Sequence, residues 1–342
     1  MTRTTAAIAA ILAALAAFAM PARAQDAPAI APKVFVITMF DEEAKPWLER
    51  QELKQIIDVP GLSPDYPQVQ CNIAGLCHMT TAMGFANAAS SVSALIYSGR
   101  FDLTQTYFLI AGIAGVDPAQ GTLGSAHWAR YAVDGGLRHD IDARQIPQGW
   151  NSGVLALGAA APGEKAAWGS KTEVFRLNED LLQRAYALSR GVELADGAEA
   201  RAYRAQYGAG PGGSAPAVSI CDTLSSDTYW HGTRLAEAMA QFVSAATDGQ
   251  ANTCTTQMED NASLTALRRG DDAGLLDFDR VALLRTGSNF DREPEGMDAV
   301  ASLKARSGGF PLATENAYRV GTALTADILA NWDDWSKGVP AR

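Results

Sequence analysis

The chain has 342 residues, a net charge of −10 at pH 7 and 47% hydrophobic residues. This length suits one large domain or two small ones, and it allows a sizeable buried core. Lys and Arg form no cluster, which argues against a nucleic-acid-binding groove. The acidic balance also disfavours binding to anionic lipid.

The N-terminus has the pattern of a signal peptide. Arg3 precedes an apolar run at 6–20, and residues 22–24 (ARA) form a small-x-small cleavage sequence. We therefore predict that residues 1–24 are removed by a cut before Gln25. The protein is then periplasmic or secreted.

No stretch of the chain has the length of a membrane span. The apolar run at 6–20 is shorter than the roughly 20 residues that a transmembrane helix needs, although a retained anchor is the alternative. The apolar stretch at 107–116 has only ten residues. We expect residues 25–342 to form a single soluble domain that does not insert into a membrane.

Apolar runs alternate with amphipathic stretches along the mature chain. Such alternation, with strands that are apolar throughout, predicts an α/β fold whose sheet is covered on both faces. In chain order the sequence predicts a strand at 33–39, a helix within 41–57, a hairpin at 69–79, a helix at 84–98, a strand at 106–111, a strand pair at 124–133, a connection at 155–167, a helix at 178–189, a loop at 207–217, a strand at 217–222, a helix at 233–245, a strand at 254–258, a helix at 259–269, a strand at 280–285 and a helix at 318–335.

Chemically active residues follow several of these strands. Since ligands bind beyond the carboxyl ends of strands in α/β sheets, the pattern predicts a small-molecule pocket with acid–base capacity. Each group also has a structural alternative: a helix cap for Asp41, a plain tight turn for 112–115 (GIAG), and core packing for the aromatic pair. The groups are Asp41-Glu42-Glu43, Gly112 to Gly115, Tyr229-Trp230, Gln257 to Asn261, and Arg285 to Asp291.

The mature chain contains four cysteines, which suggest two disulfides in an exported protein. Three connectivities are open, and Cys71 and Cys77 flank a predicted turn, so that they are close enough to pair. The cysteines lack CxxC spacing and the four histidines are scattered, so we expect no metal site and no cofactor.

The motifs together resemble the purine nucleoside permease family of the nucleoside phosphorylase/nucleosidase superfamily. The resemblance covers residues 33–342 and rests on the strings LIAGIAGVDP at 109–118, GSA at 124–126, ARYAV at 129–133, EDNA at 259–262, LRT at 284–286 and SNFDR at 288–292. It implies a mixed central sheet with partly barrel-like curvature, flanked by helices. It also places Cys221 and Cys254 on neighbouring strands, where they can pair.

The resemblance further implies roles for individual residues. Glu259, after Met258, matches the carboxylate that binds the ribose hydroxyls, and Glu43 matches the one that activates water. Asn289 stands where nucleosidases have the acid that acts at purine N7, so Asp291 is a rival for that role. The remaining expected substrate-binding residues are Gly112, Gly115, Tyr229, Trp230, Met258, Arg285 and Ser288.

Two departures from the superfamily favour hydrolysis over phosphorolysis. Ile113 replaces a phosphate-binding hydroxyl, and Glu43 lies near the first strand end without an Arg beside it. We expect a purine nucleosidase that takes part in nucleoside uptake or metabolism. The alternatives are a non-catalytic nucleoside-binding protein, a purine nucleoside phosphorylase, and a storage or scaffold protein. The preferred base and the oligomeric state stay open, with a homo-oligomer among the alternatives.

Overall fold

Strands and helices alternate along residues 29–341, the part of the chain that this computed structural model describes. The predicted signal peptide lies outside these residues. The strands are β1 (Val34–Thr38), β2 (Gln55–Asp58), β3 (Gln68–Cys71), β4 (Leu76–Thr80), β5 (Tyr107–Val116), β6 (Ala126–Trp128), β7 (Tyr131–Asp134), β8 (Arg138–Asp140), β9 (Val154–Ala156), β10 (Val174–Arg176), β11 (Val218–Ile220), β12 (Asp222–Ser225), β13 (Thr253–Gln257) and β14 (Val281–Phe290). The helices are α1 (Asp41–Arg50), α2 (Phe85–Tyr97), α3 (Glu179–Ser189), α4 (Ala198–Arg204), α5 (Thr233–Ala246), α6 (Asp260–Asp272), α7 (Ala299–Leu303), α8 (Gly309–Ala330) and α9 (Trp332–Trp335), with 3₁₀ turns at Ala205–Tyr207 and Phe278–Arg280.

Within the described residues, twelve of the strands form one mixed sheet. Its main path is β10-β7-β12-β13-β5-β1-β4-β3-β2, and β8 and β9 form a separate hairpin. The sheet branches at β5, which pairs in parallel with β1 and β14 and antiparallel with β13. From β14 the branch continues through β6 to β11. The predicted α/β class with a mixed central sheet and flanking helices is confirmed.

Helices cover both faces of the sheet because side chains alternate along strands that are buried on both sides. In β1, Phe35 and Ile37 pack with residues of α2 and α6. Val34 and Val36 pack on the other face, with residues of α1, α3 and α8. The central strands are therefore fixed in position, and the site residues that follow them are carried on a rigid support.

Several predicted elements differ from the structure in their bounds or their pairing. The helix predicted within 41–57 ends at Arg50, and Gln55–Asp58 is an edge strand paired with β3. The two strands predicted as a pair within 124–133 are present but pair with other strands. The C-terminal helix starts at Gly309 and is separated from α9 by Asn331.

Two strands continue well past their predicted ends, to Val116 in β5 and to Phe290 in β14. The interpretation of 112–115 as a tight turn was wrong. Its backbone pairs with β14 along 285–289, and Gly115 and Val116 also pair with β13. The glycines and Arg285 consequently lie inside the sheet, where neighbouring side chains point to opposite faces.

Both disulfides join strand regions that are neighbours in the sheet. Cys71 and Cys77 are directly opposite each other on β3 and β4 and are bonded. Cys221, just before β12, is bonded to Cys254 in β13. The predicted pairing is confirmed. The second bond holds together the two strands that lead to the aromatic pair and to Met258-Glu259.

The two disulfides should contribute unequally to stability. They close loops with sequence separations of 6 and 33 residues, and constraint of the unfolded chain grows with loop length. Removing Cys221–Cys254 by a Cys221→Ser/Cys254→Ser change should lower the free energy of unfolding by about 4 kcal/mol, against about 2 kcal/mol for Cys71→Ser/Cys77→Ser. Urea unfolding of both variants measures this difference. An equal loss, or a larger loss from the short loop, would contradict the loop-length account.

Candidate functional site

A cleft with a volume of about 850 Å³, including the space at its opening, lies at one edge of the sheet. Most of its lining residues lie in or directly after β1, β5, β12, β13 and β14. Its size suits a small-molecule ligand. Nine of the residues expected from the sequence line it: Glu43, Gly115, Tyr229, Trp230, Met258, Glu259, Arg285, Ser288 and Asn289. The fold therefore brings together residues that are up to 246 positions apart in the chain.

Glu43 lies in the first turn of α1, directly after β1, and is almost fully buried. Its Oε2 accepts a hydrogen bond from the backbone N–H of Met39 at 2.8 Å, and its Oε1 accepts one from Ile113 at 2.7 Å. Burial raises the pKa of this carboxyl to about 8, although Arg285 and the two N–H groups act in the opposite direction. Glu43 can therefore exchange a proton near neutral pH.

Glu259 follows β13 and precedes α6. Its Oε1 accepts from the N–H of Gly84 at 3.1 Å, and its Oε2 accepts from Met258 at 3.2 Å. Burial raises the pKa of Glu259, and Arg285 lowers it. The amide oxygen of Gln257 accepts from the N–H groups of Glu259 and Asp260 at 2.8 and 2.9 Å. Gln257 thus fixes the backbone that presents the carboxylate.

Arg285 lies within β14 and is 1% exposed. Its Nε donates to both carboxylate oxygens of Asp260, at 3.2 and 3.1 Å, and its Nη2 also contacts Asp260. Its Nη1 donates to the carbonyl of Ile113 at 3.0 Å, and Nη2 lies 3.6 Å from Glu259. One buried guanidinium thus links two carboxylates to the backbone of β5.

Gly112 does not line the cleft, but its missing side chain makes room for the charged groups. A Cβ at this position would lie 2.1 Å from Cε of Met39 and 2.6 Å from both Nη1 of Arg285 and Oε1 of Glu43. Real Cβ atoms do not approach other atoms so closely, so Arg285 and Glu43 could not keep their places beside an alanine. The absence of a side chain at Gly112 leaves room for Glu43 and Arg285. The ligand-binding role that we expected for Gly112 from the sequence stays a prediction.

The other end of the cleft is built from Tyr229 and Asn289. The Nδ2 of Asn289 donates to the hydroxyl oxygen of Tyr229 at 2.9 Å and to the carbonyl of Phe290 at 3.0 Å. Its Oδ1 lies 2.8 Å from Oγ of Ser288. Both amide hydrogens are therefore used, whereas the hydroxyl hydrogen of Tyr229, whose side chain is 55% exposed, can donate to a ligand.

Asp291 is placed away from the cleft lining. Its carboxylate forms an ion pair with Arg292, at 2.8 and 3.0 Å, and Arg292 also binds Asp117 at 2.9 Å. Burial raises the pKa of Asp291 to about 6, against the effect of Arg292. The adjacent arginine explains why the carboxylate is held here instead of reaching the ligand position.

Part of the site could not be predicted from the sequence. Asp260 and Gln257 were noted only as polar residues after a strand, because their contacts with Arg285 and the helix terminus become visible only in three dimensions. Phe310 comes from the first turn of α8, and nothing in its local sequence points to a ligand. The lining residues outside the expected set are Phe40, Met83, Ile113, Ala114, Thr228, Thr256, Gln257 and Phe310.

The sequence profile of the purine nucleoside permease family matches residues 31–340. The chain belongs to this family. A purine nucleoside permease of Candida albicans is 40% identical over 308 residues, which cover 88% of this chain and 76% of that protein. A probable purine nucleoside permease of Schizosaccharomyces pombe is 38% identical over 317 residues, covering 89% of this chain and 91% of that protein.

Solved nucleosidases share the fold of this purine nucleoside permease family member. The 5′-methylthioadenosine/S-adenosylhomocysteine nucleosidase of Neisseria meningitidis has a TM-score of 0.52 and 15% identity, over 86% of this chain and 98% of that structure. The futalosine hydrolase of Helicobacter pylori has a TM-score of 0.54 and 12% identity, with the same coverage. Despite the family name, none of the helices in residues 29–341 is long and apolar enough to cross a membrane.

The space at Gly112 should be essential for the site. A Gly112→Ala change should displace Glu43 or Arg285 and lower the free energy of unfolding by about 1–3 kcal/mol through overpacking. Gly191→Ala is the matched control, because a Cβ there meets nothing within 4 Å. Thermal unfolding of both variants measures this loss. Equal behaviour of the two variants would contradict the steric role of Gly112.

Proposed function

We propose that this protein binds purine nucleosides and hydrolyses their N-glycosidic bond. The observation that carries this proposal is the pair of buried carboxylates, Glu43 and Glu259, which line one cleft with Arg285. A carboxylate acceptor suits a vicinal diol, and a second carboxyl with a pKa of about 8 suits activation of water. The family and the nucleosidase fold agree with a nucleoside as ligand.

In this proposal Glu259 holds the ribose and Glu43 acts on the water. The two backbone N–H groups on Glu259 fix its orientation and leave lone pairs free for the 2′- and 3′-hydroxyls. Ionised Glu43 takes a proton from water, whose oxygen attacks C1′ as the bond from C1′ to the base nitrogen breaks. The electron pair of that bond passes to the purine, and the sugar passes through an oxocarbenium-like state.

The purine lies at the aromatic end of the cleft. Tyr229 and Trp230 offer faces against which a flat base can pack. Because Asn289 donates to the oxygen of Tyr229, the Tyr229 hydroxyl is oriented to donate its own hydrogen to a base nitrogen. This contact stabilises the negative charge that develops on the leaving base, without a full proton transfer from the protein.

Water is a better nucleophile than phosphate for this cleft. Among the described residues that line it, Arg285 is the one basic side chain, and Asp260 already occupies two of its nitrogens. Ionised Glu259 would repel a phosphate anion, and so would Glu43 once it has lost its proton. Ile113 supplies no hydroxyl to hold one. Hydrolysis therefore fits the charges of the site better than phosphorolysis does.

We propose that this reaction takes place outside the cytoplasm. The predicted signal peptide at 1–24 motivates this location, and the two disulfides fit it because such bonds persist mainly in oxidising compartments. Hydrolysis of a nucleoside there would release the base for uptake. This role would account for a transport name without requiring the chain itself to form a pore.

A nucleoside-binding protein without turnover is the second candidate. The observation that favours it is Asn289, which cannot protonate the leaving base and whose two amide hydrogens are already bonded. In that case the buried carboxylates serve recognition alone. The two candidates differ only in whether the bond is cleaved after binding.

Base release from inosine, adenosine and guanosine, with and without phosphate, tests the proposal. The purified protein should release free base in both conditions, and Glu43→Gln should lower kcat by at least about 100-fold because the base that activates water is lost. Glu42→Gln is the matched control, since Glu42 is the exposed neighbour of Glu43. Nucleoside binding without base release would favour the second candidate. Release that requires phosphate would show a phosphorylase.

Restoring an acid at the base end should accelerate cleavage. In Asn289→Asp a carboxylic acid beside Tyr229 can supply a proton to the leaving purine, so kcat should rise by about tenfold or more. Asn151→Asp, at an exposed position far along the chain, controls for the added charge. Single-turnover base release measured from pH 6 to pH 8, where Glu43 becomes ionised, measures the effect. A fall in the rate would argue that the Asn289–Tyr229 hydrogen bond is itself the functional feature.

A further inference from the structure

Asp260 is fully buried at the first residue of α6, yet it does not line the cleft. Its carboxylate receives Nε and Nη2 of Arg285 side by side, the bidentate geometry that binds a guanidinium most firmly. The remaining nitrogen, Nη1, is bound to the carbonyl of Ile113. Every nitrogen of Arg285 therefore has a partner other than Glu43.

Glu43 is close to Arg285 but is not paired with it. Oε1 of Glu43 and Nη1 of Arg285 would each lie 2.6 Å from a Cβ placed on Gly112. The two side chains therefore share the space beside that glycine. Within residues 29–341 Arg285 forms ion pairs with Asp260 and Glu259 and none with Glu43. The cation nearest to the proposed base is thus bound to other groups and not to that base.

The other charged and titratable groups around Glu43 do not replace this cation. Glu259, before α6, faces Glu43 and opposes its ionisation. On β4, His78 is buried, its ring lies 3.0 Å from the hydroxyl of Thr38, and burial lowers its pKa to about 3, so it stays neutral. On α8, Glu315 is bound to Arg50 at the far end of α1. Among the described charged side chains, Arg285 is the one in position to favour the ionised form, in addition to the backbone N–H groups of Met39 and Ile113.

We propose that Asp260 is a positioning residue that holds Arg285 away from Glu43 and thereby sets the pH above which the cleft is active. With Asp260 present, Glu43 keeps its proton until the solution becomes mildly alkaline. Without the negative charge of Asp260, the guanidinium is free to approach Glu43 and to favour its carboxylate form at lower pH. The proposal rests on the proposed hydrolysis for its kinetic effect, whereas its effect on the protonation of Glu43 is independent of turnover.

The pH profile of Asp260→Asn tests this role. In the wild-type protein kcat/KM for inosine should rise with pH to a midpoint near 8, the pKa of Glu43. In Asp260→Asn the midpoint should fall by about one unit, which makes kcat/KM at pH 6 about tenfold higher than in the wild type. Asp272→Asn, an exposed carboxylate on the same helix, should leave the profile unchanged. A midpoint that stays or rises in Asp260→Asn would overturn the proposal.

A titration of ¹³C-labelled glutamate carboxyls by NMR gives the same answer without turnover. The Glu43 signal is identified by its loss in Glu43→Gln, and its pKa should fall by about one unit in Asp260→Asn. If the wild type shows no base release, the proposed hydrolysis fails, while this titration still decides the role of Asp260. An unshifted Glu43 signal in a folded Asp260→Asn protein would overturn it.

The double variant Asp260→Asn/Arg285→Gln keeps the test available if the single variant does not fold. Removing both members of a buried ion pair costs less stability than leaving one charge unpaired. Because Arg285 lowers the pKa of Glu43, the double variant, which has lost this cation, should keep the pKa of Glu43 at or above its wild-type value. A fall like the one expected for Asp260→Asn would mean that Asp260 does not act through Arg285, and would contradict the proposal.

Discussion

The buried guanidinium of Arg285 is the interaction on which the cleft depends. It binds Asp260, lies near Glu259, holds the backbone of β5 through Ile113 and is a neighbour of Glu43. Several carboxylates could not be buried together without such a cation, because each would lose hydration and repel the others. The net negative charge that remains after this compensation is what makes the site suited to a neutral, hydroxyl-rich ligand.

The fold assembles this cluster from elements that meet at one edge of the sheet. β1 leads into α1 with Glu43, β13 leads into α6 with Glu259, and β14 runs beside β5 with Arg285 on its inner face. Helices on both faces bury these strands, so the positions of the carboxylates are set by the core and not by flexible loops. The disulfide at Cys221 and Cys254 reinforces the strand pair that carries the base end and the ribose end.

Much of this arrangement could be predicted from the sequence. Apolar, β-branched strands alternating with amphipathic helices indicated the fold, and carboxylates after β1 and β13 indicated the cleft. The lengths of β5 and β14 could not be predicted, because Gly112 to Gly115 look like a turn until the partner strand supplies their hydrogen bonds. Asp291 and Asp260 show the same limit: both are acidic residues near strand ends, and only tertiary contacts with Arg292 and Arg285 distinguish their roles.

The most direct test of nucleoside binding in this cleft is a crystal structure of the Glu43→Gln protein with inosine bound. The account predicts that the 2′- and 3′-hydroxyls of the ribose lie within hydrogen-bonding distance of Glu259. It also predicts that C1′ faces residue 43 and that the purine packs against Tyr229 and Trp230. A nucleoside bound in the reverse orientation, with its base between Glu43 and Glu259, or bound outside this cleft, would contradict it.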